Sequence, residues 1–293
     1  MSYDCSDIFG CFTNQSEDLV GTQVVKQMRG GSRSLLMLDQ HSVPWVVKFD
    51  ANPQHSNIVI NEFLATRIGA SLGLSIPETQ PIRVDERLSR SIAQWIPPTD
   101  ALYEPGLHIA SRFVGGLLPG LVLDILPKNH LHNVTNLNEY AGISILDLWL
   151  CNTDDRQVVY SRPARSKKYK MFWVDFGHCF GGGIWNLCSE SAIFLPCSQT
   201  PRRFNWDDYE PWILLVEQFS ADALERIFGD LPASWRFGRE IELDGLANRL
   251  HARKSSLGAV VEKHLRGTGL EQRFFISRRG GLRLDLEMAL SID

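Results

Sequence analysis

The fold is decided by residues 44–73 in the first third of the chain, PWVVKFDANPQHSNIVINEFLATRIGASLG. Residues 44–49 form an apolar run that only Lys48 interrupts, which predicts a strand whose lysine points inward. Residues 57–72 carry apolar side chains at helical spacing and are followed by Gly73, so they predict a helix. A buried ammonium group needs an anionic partner, and Glu62 on this helix is the natural partner of Lys48. An edge-strand lysine that faces water is the alternative.

A glycine-rich loop precedes this stretch. Gly30, Gly31 and Ser32 lie between two strand-like runs. Glycines at such a position let backbone N–H groups approach phosphate oxygens without a clash from Cβ. A plain hairpin turn has the same sequence signature. The loop is not a Walker motif, because no Gly-Lys-Ser/Thr follows and no helix begins there.

Two aspartates stand about twenty positions apart in the second half. Asp154 lies in a polar run at residues 152–157, directly after an apolar helix that is predicted from Tyr140 to Leu150 and that Asn138 and Glu139 can cap. An aspartate there can orient a hydroxyl nucleophile and accept its proton, although the same run is also a good turn. Asp175 ends a strand predicted at 170–174 and precedes a flexible glycine. A carboxylate in that place suits a hard cation such as Mg²⁺, and a simple strand-terminating aspartate is the alternative.

The order of these features favours phosphoryl transfer. A small-residue loop comes first, then a lysine on an apolar strand, then the two carboxylates. Transfer from ATP requires backbone amides and a lysine at the phosphates, a carboxylate near the hydroxyl nucleophile, and a carboxylate on Mg²⁺. Each feature alone is common, and the ordered set predicts a nucleotide site that takes ATP and Mg²⁺.

The composition excludes several other classes of protein. With 293 residues, 44% of them hydrophobic and 22% charged, the chain is expected to be globular and large enough for two units. Its net charge of -4 argues against direct nucleic-acid binding by the whole chain. Its six cysteines form no CxxC pair, which argues against a zinc site and favours reduced thiols in the cytoplasm. The sequence contains no run of about 18 apolar residues, so no membrane span is predicted.

The pattern also divides the chain. The first half is strand-rich up to a double-glycine break at residues 115–116, and the second half is mainly helical, with helices predicted at 207–219, 221–228 and 241–265. The predicted units are a leader at 1–18, a strand-rich unit at 19–115, a helical unit at 116–266 and a tail at 267–293.

These residues resemble the HipA-like kinases, the toxin-kinase branch related to phosphatidylinositol kinases. The resemblance extends over about residues 20–260 and is carried by short segments at 28–34, 46–49, 52–55, 61–65, 72–77, 111–113, 148–154 and 174–177. It implies an α+β, bilobal protein-kinase-like fold with a strand-rich N-lobe and a mainly helical C-lobe. ATP and Mg²⁺ would bind between the lobes, and a protein serine or threonine would accept the phosphoryl group.

The resemblance assigns a role to each candidate residue. The nucleotide would be bound by Gly30, Gly31, Ser32, Lys48, Glu62, Ala110 and Arg112. Asp154 would be the catalytic aspartate, assisted by Lys48, and Asp175 would bind the metal ion. Glu62 would orient Lys48.

The chain departs from the family at one metal-binding position. Kinases of this type carry an asparagine five residues after the catalytic aspartate, and this chain has Val159 there, or Tyr160 if Asp155 is aligned instead. Asn152 and Gln157 are the candidates to replace that asparagine as metal ligands. Three functions therefore stay open: an active HipA-like kinase, a nucleotide-binding pseudokinase that acts through a partner protein, and a regulator in a complex with an antitoxin-like protein.

Overall fold

The computed structural model describes residues 18–95, 103–115, 120–187 and 203–267. The strands are β1 (Leu19–Gln27), β2 (Leu35–Asp39), β3 (Pro44–Lys48), β4 (Thr79–Val84), β5 (Gly106–Arg112), β6 (Gly120–Leu123), β7 (Gln157–Pro163) and β8 (Lys170–Val174). The α-helices are α1 (Ile58–Ser71), α2 (Glu86–Trp95), α3 (Glu139–Leu150), α4 (Trp206–Glu217), α5 (Ala221–Gly229), α6 (Ala233–Arg236), α7 (Glu240–Arg253) and α8 (Leu257–Gly267). The predicted leader at 1–18 and tail at 267–293 lie outside the described residues, apart from residues 18 and 267.

The first five strands close into a barrel in the order β1-β2-β3-β5-β4. Strands β1 and β4 pair in parallel, and the other pairs are antiparallel. The alternation of side chains along β3 sends Trp45 and Val47 into the barrel core, which α2 completes with Leu88 and Ile92. Lys48 therefore leaves β3 on the opposite face, away from the barrel core.

The other three strands form a sheet in the order β6-β7-β8 and share one large apolar core with the later helices. Helix α1 belongs to this second core, although it comes early in the chain, and buries Phe63, Leu64 and Ile68 there. Eleven of its 14 residues are buried. A helix that is apolar on nearly every side has to be enclosed, and α1 contacts β4 and β5 of the barrel as well as α3 and α5.

The helices of the C-terminal part follow the prediction except in two places, the first of which is the short helix α6, which was not predicted. The predicted helices at 207–219 and 221–228 correspond to α4 and α5, but the single helix predicted over 241–265 is two helices, α7 and α8, separated by a 3-10 turn at Lys254–Ser256. At that turn Lys254 Nζ donates to the Phe219 carbonyl oxygen at 2.6 Å, which fixes the turn to the end of α4. Across the described ranges, no helix is long and apolar enough to cross a membrane.

Glu139, the first residue of α3, connects this helix to strand β8. Its carboxylate oxygens accept hydrogen bonds from the Ser75 N–H (2.8 Å), the Ser75 hydroxyl (2.8 Å), Asn136 Nδ2 (2.9 Å) and Trp173 Nε1 (3.0 Å). A buried carboxylate requires this many partners, because each missing one costs desolvation energy. Trp173 lies in β8, so the network holds the strand that leads to Asp175.

His108 is held in its neutral form within β5. The Asp50 N–H donates to its Nδ1 at 3.1 Å, and its Nε2 lies 3.0 Å from the Glu104 carbonyl oxygen. Because Nδ1 accepts a hydrogen bond, the proton of the neutral ring is on Nε2, which donates to Glu104. Burial lowers the pKa of His108 from 6.5 to about 4, against the opposing effect of the Glu104 carbonyl.

We expect the free energy of unfolding to fall as the pH is lowered from about 7 to about 4. The folded-state pKa of His108 lies below its value of 6.5 in the unfolded chain, so the unfolded chain binds more protons in this range and is favoured by acid. The shift corresponds to roughly 3 kcal/mol. Urea unfolding at about pH 7 and about pH 4.5 measures this loss. His108→Gln should remove it, and an unchanged pH dependence in that variant would contradict the assignment.

Candidate active site

Lys48 forms the centre of the site. Its ammonium group donates to Glu62 Oε2 at 2.7 Å and to Asp175 Oδ1 at 2.8 Å. The side chains of Lys48, Glu62 and Asp175 are only 10%, 5% and 21% exposed, so each charge depends on its partners. Burial disfavours the ammonium form, but Glu62 and Asp175 together raise the pKa of Lys48 above its ordinary value. Lys48 therefore stays positively charged in the site.

Asp175 follows β8 in a left-handed backbone conformation, with a φ of 63°. This region is sparsely populated by aspartate and persists where the surroundings hold it. Its Oδ2 accepts a hydrogen bond from Gln157 Nε2 at 2.9 Å, while its Oδ1 accepts from Lys48. Burial opposes ionisation of Asp175, but the Lys48 charge outweighs burial and lowers the pKa of the carboxyl below its ordinary value.

Glu62 connects α1 to the residues that follow β8. The oxygen that binds Lys48, Oε2, also accepts the Phe176 N–H at 3.0 Å. One carboxylate thus fixes both the lysine of the barrel and the backbone next to Asp175. A movement of α1 would change both contacts together.

Arg156 contacts the backbone of Asp175 and is 2% exposed. Its Nε donates to Asp147 Oδ2 at 3.0 Å, and its Nη2 donates to Asp147 Oδ1. Its Nη1 donates to the Val174 and Asp175 carbonyl oxygens at 3.1 and 2.8 Å, and the guanidinium lies 4.0 Å from the centroid of the Phe176 ring. Arg156 therefore holds the backbone turn that aims the Asp175 carboxylate. This role of Arg156 was not predicted from the sequence; Asp147, an acid in the apolar helix α3 that needs a positive partner, is the signal that could have revealed it.

The loop that carries Asp154 touches the segment after Asp175. The Thr153 N–H donates to the His178 carbonyl oxygen at 3.1 Å. Asn152 folds over the loop, because its Nδ2 donates to the Asp154 carbonyl oxygen at 2.9 Å and its Oδ1 accepts the Asp154 N–H at 3.3 Å. The Asp154 carboxylate is exposed, and its Oδ1 accepts the Asp155 N–H at 2.8 Å.

The glycine-rich loop joins β1 to β2 and is exposed at both glycines. Gly30 has a φ of 121°, a conformation that glycine adopts without strain. Asn52 Nδ2 donates to the Ser32 carbonyl oxygen at 3.1 Å, and a Cβ on Gly31 would lie 3.3 Å from Gln54 Nε2. The loop therefore rests on the segment between β3 and α1.

The structure brings together four of the predicted site residues in direct contact: Lys48, Glu62, Asp175 and Gln157. Asn152 and Asp154 lie in the adjoining loop. Ala110 and Arg112 are not brought to this cluster. Ala110 pairs with Val47 and is buried in the barrel core, and Arg112 forms an ion pair with Glu78 at 3.2 Å. In this register Lys48 pairs with Ile109, so Ile109 shares its face and Ala110 faces the other way.

The fold is similar to that of solved kinases. No protein-family model matches the sequence, and comparison with curated protein sequences finds no significant match. The proinflammatory kinase CtkA of Helicobacter pylori matches with a TM-score of 0.55 and 16% identity, over 87% of this chain and 100% of that chain. The structure of hydra Fam20 with sugar matches with a TM-score of 0.50 and 13% identity, over 86% of this chain and 88% of that one. The chain thus has a kinase-like fold that mixes sheets and helices.

Replacing Arg156 by leucine should lower the free energy of unfolding by about 3–5 kcal/mol, because it leaves the Asp147 carboxylate without its buried partner. The double variant Arg156→Leu, Asp147→Leu should regain most of that loss, since no uncompensated charge remains. Urea unfolding of the single and double variants measures both effects. A single variant as stable as the parent protein would show that the pair does not support this turn.

Proposed function

We propose that this protein is an ATP-dependent kinase of the HipA-like type, which transfers the terminal phosphoryl group of ATP to a serine or threonine of a protein. The observation that carries the proposal is the contact of Lys48 with both Glu62 and Asp175. Phosphoryl transfer by protein kinases uses a strand lysine oriented by a helix glutamate, together with an aspartate that holds the metal ion. The fold shared with the Helicobacter pylori kinase supports the proposal.

In this proposal residues 19–115 and 116–266 are the two lobes of the kinase, and ATP binds between them. Backbone N–H groups of the loop at residues 30–32 would bind phosphate oxygens, and two of its three residues lack a Cβ that could obstruct them. Lys48 would donate to the phosphates from the face of β3. The base would lie beside β5, the strand that pairs with β3 at Lys48.

The donor set fits a magnesium ion that arrives with the nucleotide. Within the described ranges, no group of three or more His, Cys, Asp or Glu side chains could hold a metal ion on its own. Mg²⁺ commonly takes one or two carboxylates and completes its shell with substrate phosphates and water, and Asp175 offers such a carboxylate. Gln157 contacts Asp175, and Asn152 lies in the neighbouring loop; each has an amide oxygen to offer. The ion would neutralise charge on the phosphates.

Asp154 would orient the hydroxyl group of the acceptor and take up its proton. Its carboxylate is exposed, so a side chain of another protein can reach it. The bond from the Thr153 N–H to the His178 carbonyl keeps its loop beside the segment that follows Asp175.

A nucleotide-binding pseudokinase is the second candidate, and residue 159 favours it. HipA-like kinases carry a metal-binding asparagine at this position, whereas Val159 of this chain lies in β7 and pairs with Phe172. Such a protein would bind nucleotide through Lys48 without phosphoryl transfer. It would act in the cytoplasm through a partner protein, and that partner would be a regulator of the antitoxin type.

Asp154→Asn and Asp175→Asn should each lower the rate of phosphoryl transfer by about 10²-fold or more, because each removes a charge on which transfer depends. Asp175→Asn should also weaken Mg²⁺-dependent ATP binding, whereas Asp154→Asn should leave it unchanged. The measurements are transfer from labelled ATP to casein, used as a general acceptor, and the rise in Tm on addition of ATP. Asp244 is exposed on α7, so Asp244→Asn is the matched control.

The outcomes separate the two candidate functions. An unchanged Tm at roughly millimolar ATP, with and without Mg²⁺, would contradict both of them. Transfer that survives in both aspartate variants would remove the kinase assignment. Binding of ATP by the parent protein without any transfer to casein or to itself would favour the pseudokinase.

Gln157→Leu should weaken Mg²⁺-dependent ATP binding by about tenfold, because residues that contact a metal ligand commonly contribute this much to metal affinity. Binding in the presence of EDTA should stay unchanged, because Lys48 and the glycine-rich loop still contact the phosphates of ATP. Isothermal titration with ATP in Mg²⁺ and in EDTA measures the two affinities. The control is Gln218→Leu, at an exposed position after α4. Equal affinities of the two variants in Mg²⁺ would exclude Gln157 from the metal site.

A further inference from the structure

Asn61 is fully buried in α1 and makes four hydrogen bonds to the segment at residues 176–185, which directly follows Asp175. Its Nδ2 donates to the carbonyl oxygens of Gly177 (2.8 Å), Cys179 (3.0 Å) and Gly182 (3.0 Å). Its Oδ1 accepts from Trp185 Nε1 at 2.7 Å. Three acceptors on one side and one donor on the other fix the orientation of the amide, because a flipped group would face oxygen with oxygen.

The segment that Asn61 holds has an unfavourable backbone. Positive φ angles occur at Asp175 (63°), Phe180 (61°), Gly181 (76°), Gly182 (74°) and Trp185 (48°). Three of these residues have a side chain, and each such conformation costs about 1–3 kcal/mol unless the surroundings hold it. This backbone forms neither helix nor strand over most of its length, so its carbonyl groups need partners from elsewhere. The two N–H groups of the Asn61 amide are shared among three of these carbonyl groups.

The segment also lies directly against α1 and the loop that precedes it. A Cβ on Gly177 would lie 2.4 Å from Ile58 Cγ1, and a Cβ on Gly183 would lie 2.8 Å from His55 Cβ. This close approach lets the short side chain of Asn61 reach three carbonyl groups. A longer amide would not fit between the helix and the segment.

Asn61 is adjacent to Glu62, which binds Lys48 and the Phe176 N–H. Two consecutive residues of α1 therefore divide the contacts. Glu62 binds Lys48 and the start of the segment, and Asn61 binds the interior of the segment. We propose that Asn61 is a positioning residue, which keeps the segment after Asp175 fixed to α1 so that Lys48, Glu62 and Asp175 are assembled before the nucleotide binds. The part of this inference that concerns ATP rests on the proposed function.

Asn61→Asp tests the proposal with almost no change in volume. A carboxylate can still accept from Trp185 but cannot donate to the three carbonyl groups. Hydrogen exchange of the amides at 176–185 should become at least about tenfold faster, while exchange in the barrel strands β1–β5 stays as in the parent protein. Asn248 is exposed on α7, so Asn248→Asp controls for the added charge. Unchanged exchange at 176–185 would overturn the proposal.

Asn61→Ser is the second variant, since it keeps one hydroxyl donor and adds no charge. It should accelerate exchange in the same segment by a smaller factor than Asn61→Asp. Faster exchange spread evenly over both cores, in this variant or in Asn61→Asp, would make Asn61 an ordinary core residue and would also overturn the proposal.

ATP binding distinguishes positioning from general support of the fold. Asn61→Ser should weaken ATP binding in Mg²⁺ by about fivefold and binding in EDTA by less than about twofold, because Asp175 adjoins the segment directly, whereas Lys48 lies on β3 and keeps its contact with Glu62. Equal loss in both conditions would contradict the positioning role. If the parent protein binds no ATP, the proposed function fails, whereas the exchange experiment still decides whether Asn61 holds the segment.

Discussion

The buried ammonium group of Lys48 imposes the main constraint on this structure. It leaves the barrel on a face where water reaches it poorly, and such a charge is tolerated only beside opposite charges. Glu62 comes from α1 and Asp175 from the end of β8, so the lysine is satisfied only when the barrel, the helix and the second sheet are assembled. The two carboxylates exceed the one ammonium by a single negative charge. The amide of Gln157 donates to Oδ2 of Asp175, the carboxylate oxygen that does not bind Lys48.

Helix α1 has an unusual place in this arrangement. It lies in the first half of the chain and was predicted as part of the strand-rich unit, yet its side chains pack in the large core of the second half. In the proposed kinase, α1 would be the helix whose position controls whether the lysine is oriented for catalysis. Here eleven residues of that helix are buried, so displacing it would expose a large apolar surface and break the contacts of Glu62. The ion pair is therefore built into the core, and control by movement of the helix is energetically disfavoured.

The sequence predicted the parts of the site that depend on local patterns. Lys48 and Glu62 follow from a strand and a helix with clear periodicity, and Asp175 follows from the end of an apolar strand. The sequence did not predict which face of β5 meets the lysine, because alternation defines two faces and only the strand register selects between them. Ala110 consequently lies in the barrel core. Arg156 was also missed, since a polar run has the composition of a turn whether its arginine is exposed or buried. The residues themselves gave the order of the parts, but not these side-chain directions.

In the HipA-like proposal, the position of the metal-binding asparagine falls in β7. This strand begins at residue 157, so the position of the asparagine lies inside a paired strand, where Val159 faces Phe172. Side chains two residues apart share a face of a strand, so Gln157 lies on the same face as Val159. Gln157 pairs with Val174, the residue before Asp175, and its side chain reaches the carboxylate. The amide of Gln157 thus lies two residues before position 159, on a side chain one methylene group longer than asparagine, and contacts the Asp175 carboxylate. In the proposed kinase, Gln157 would supply the amide that Val159 lacks, whereas in the proposed pseudokinase that amide would not suffice for transfer.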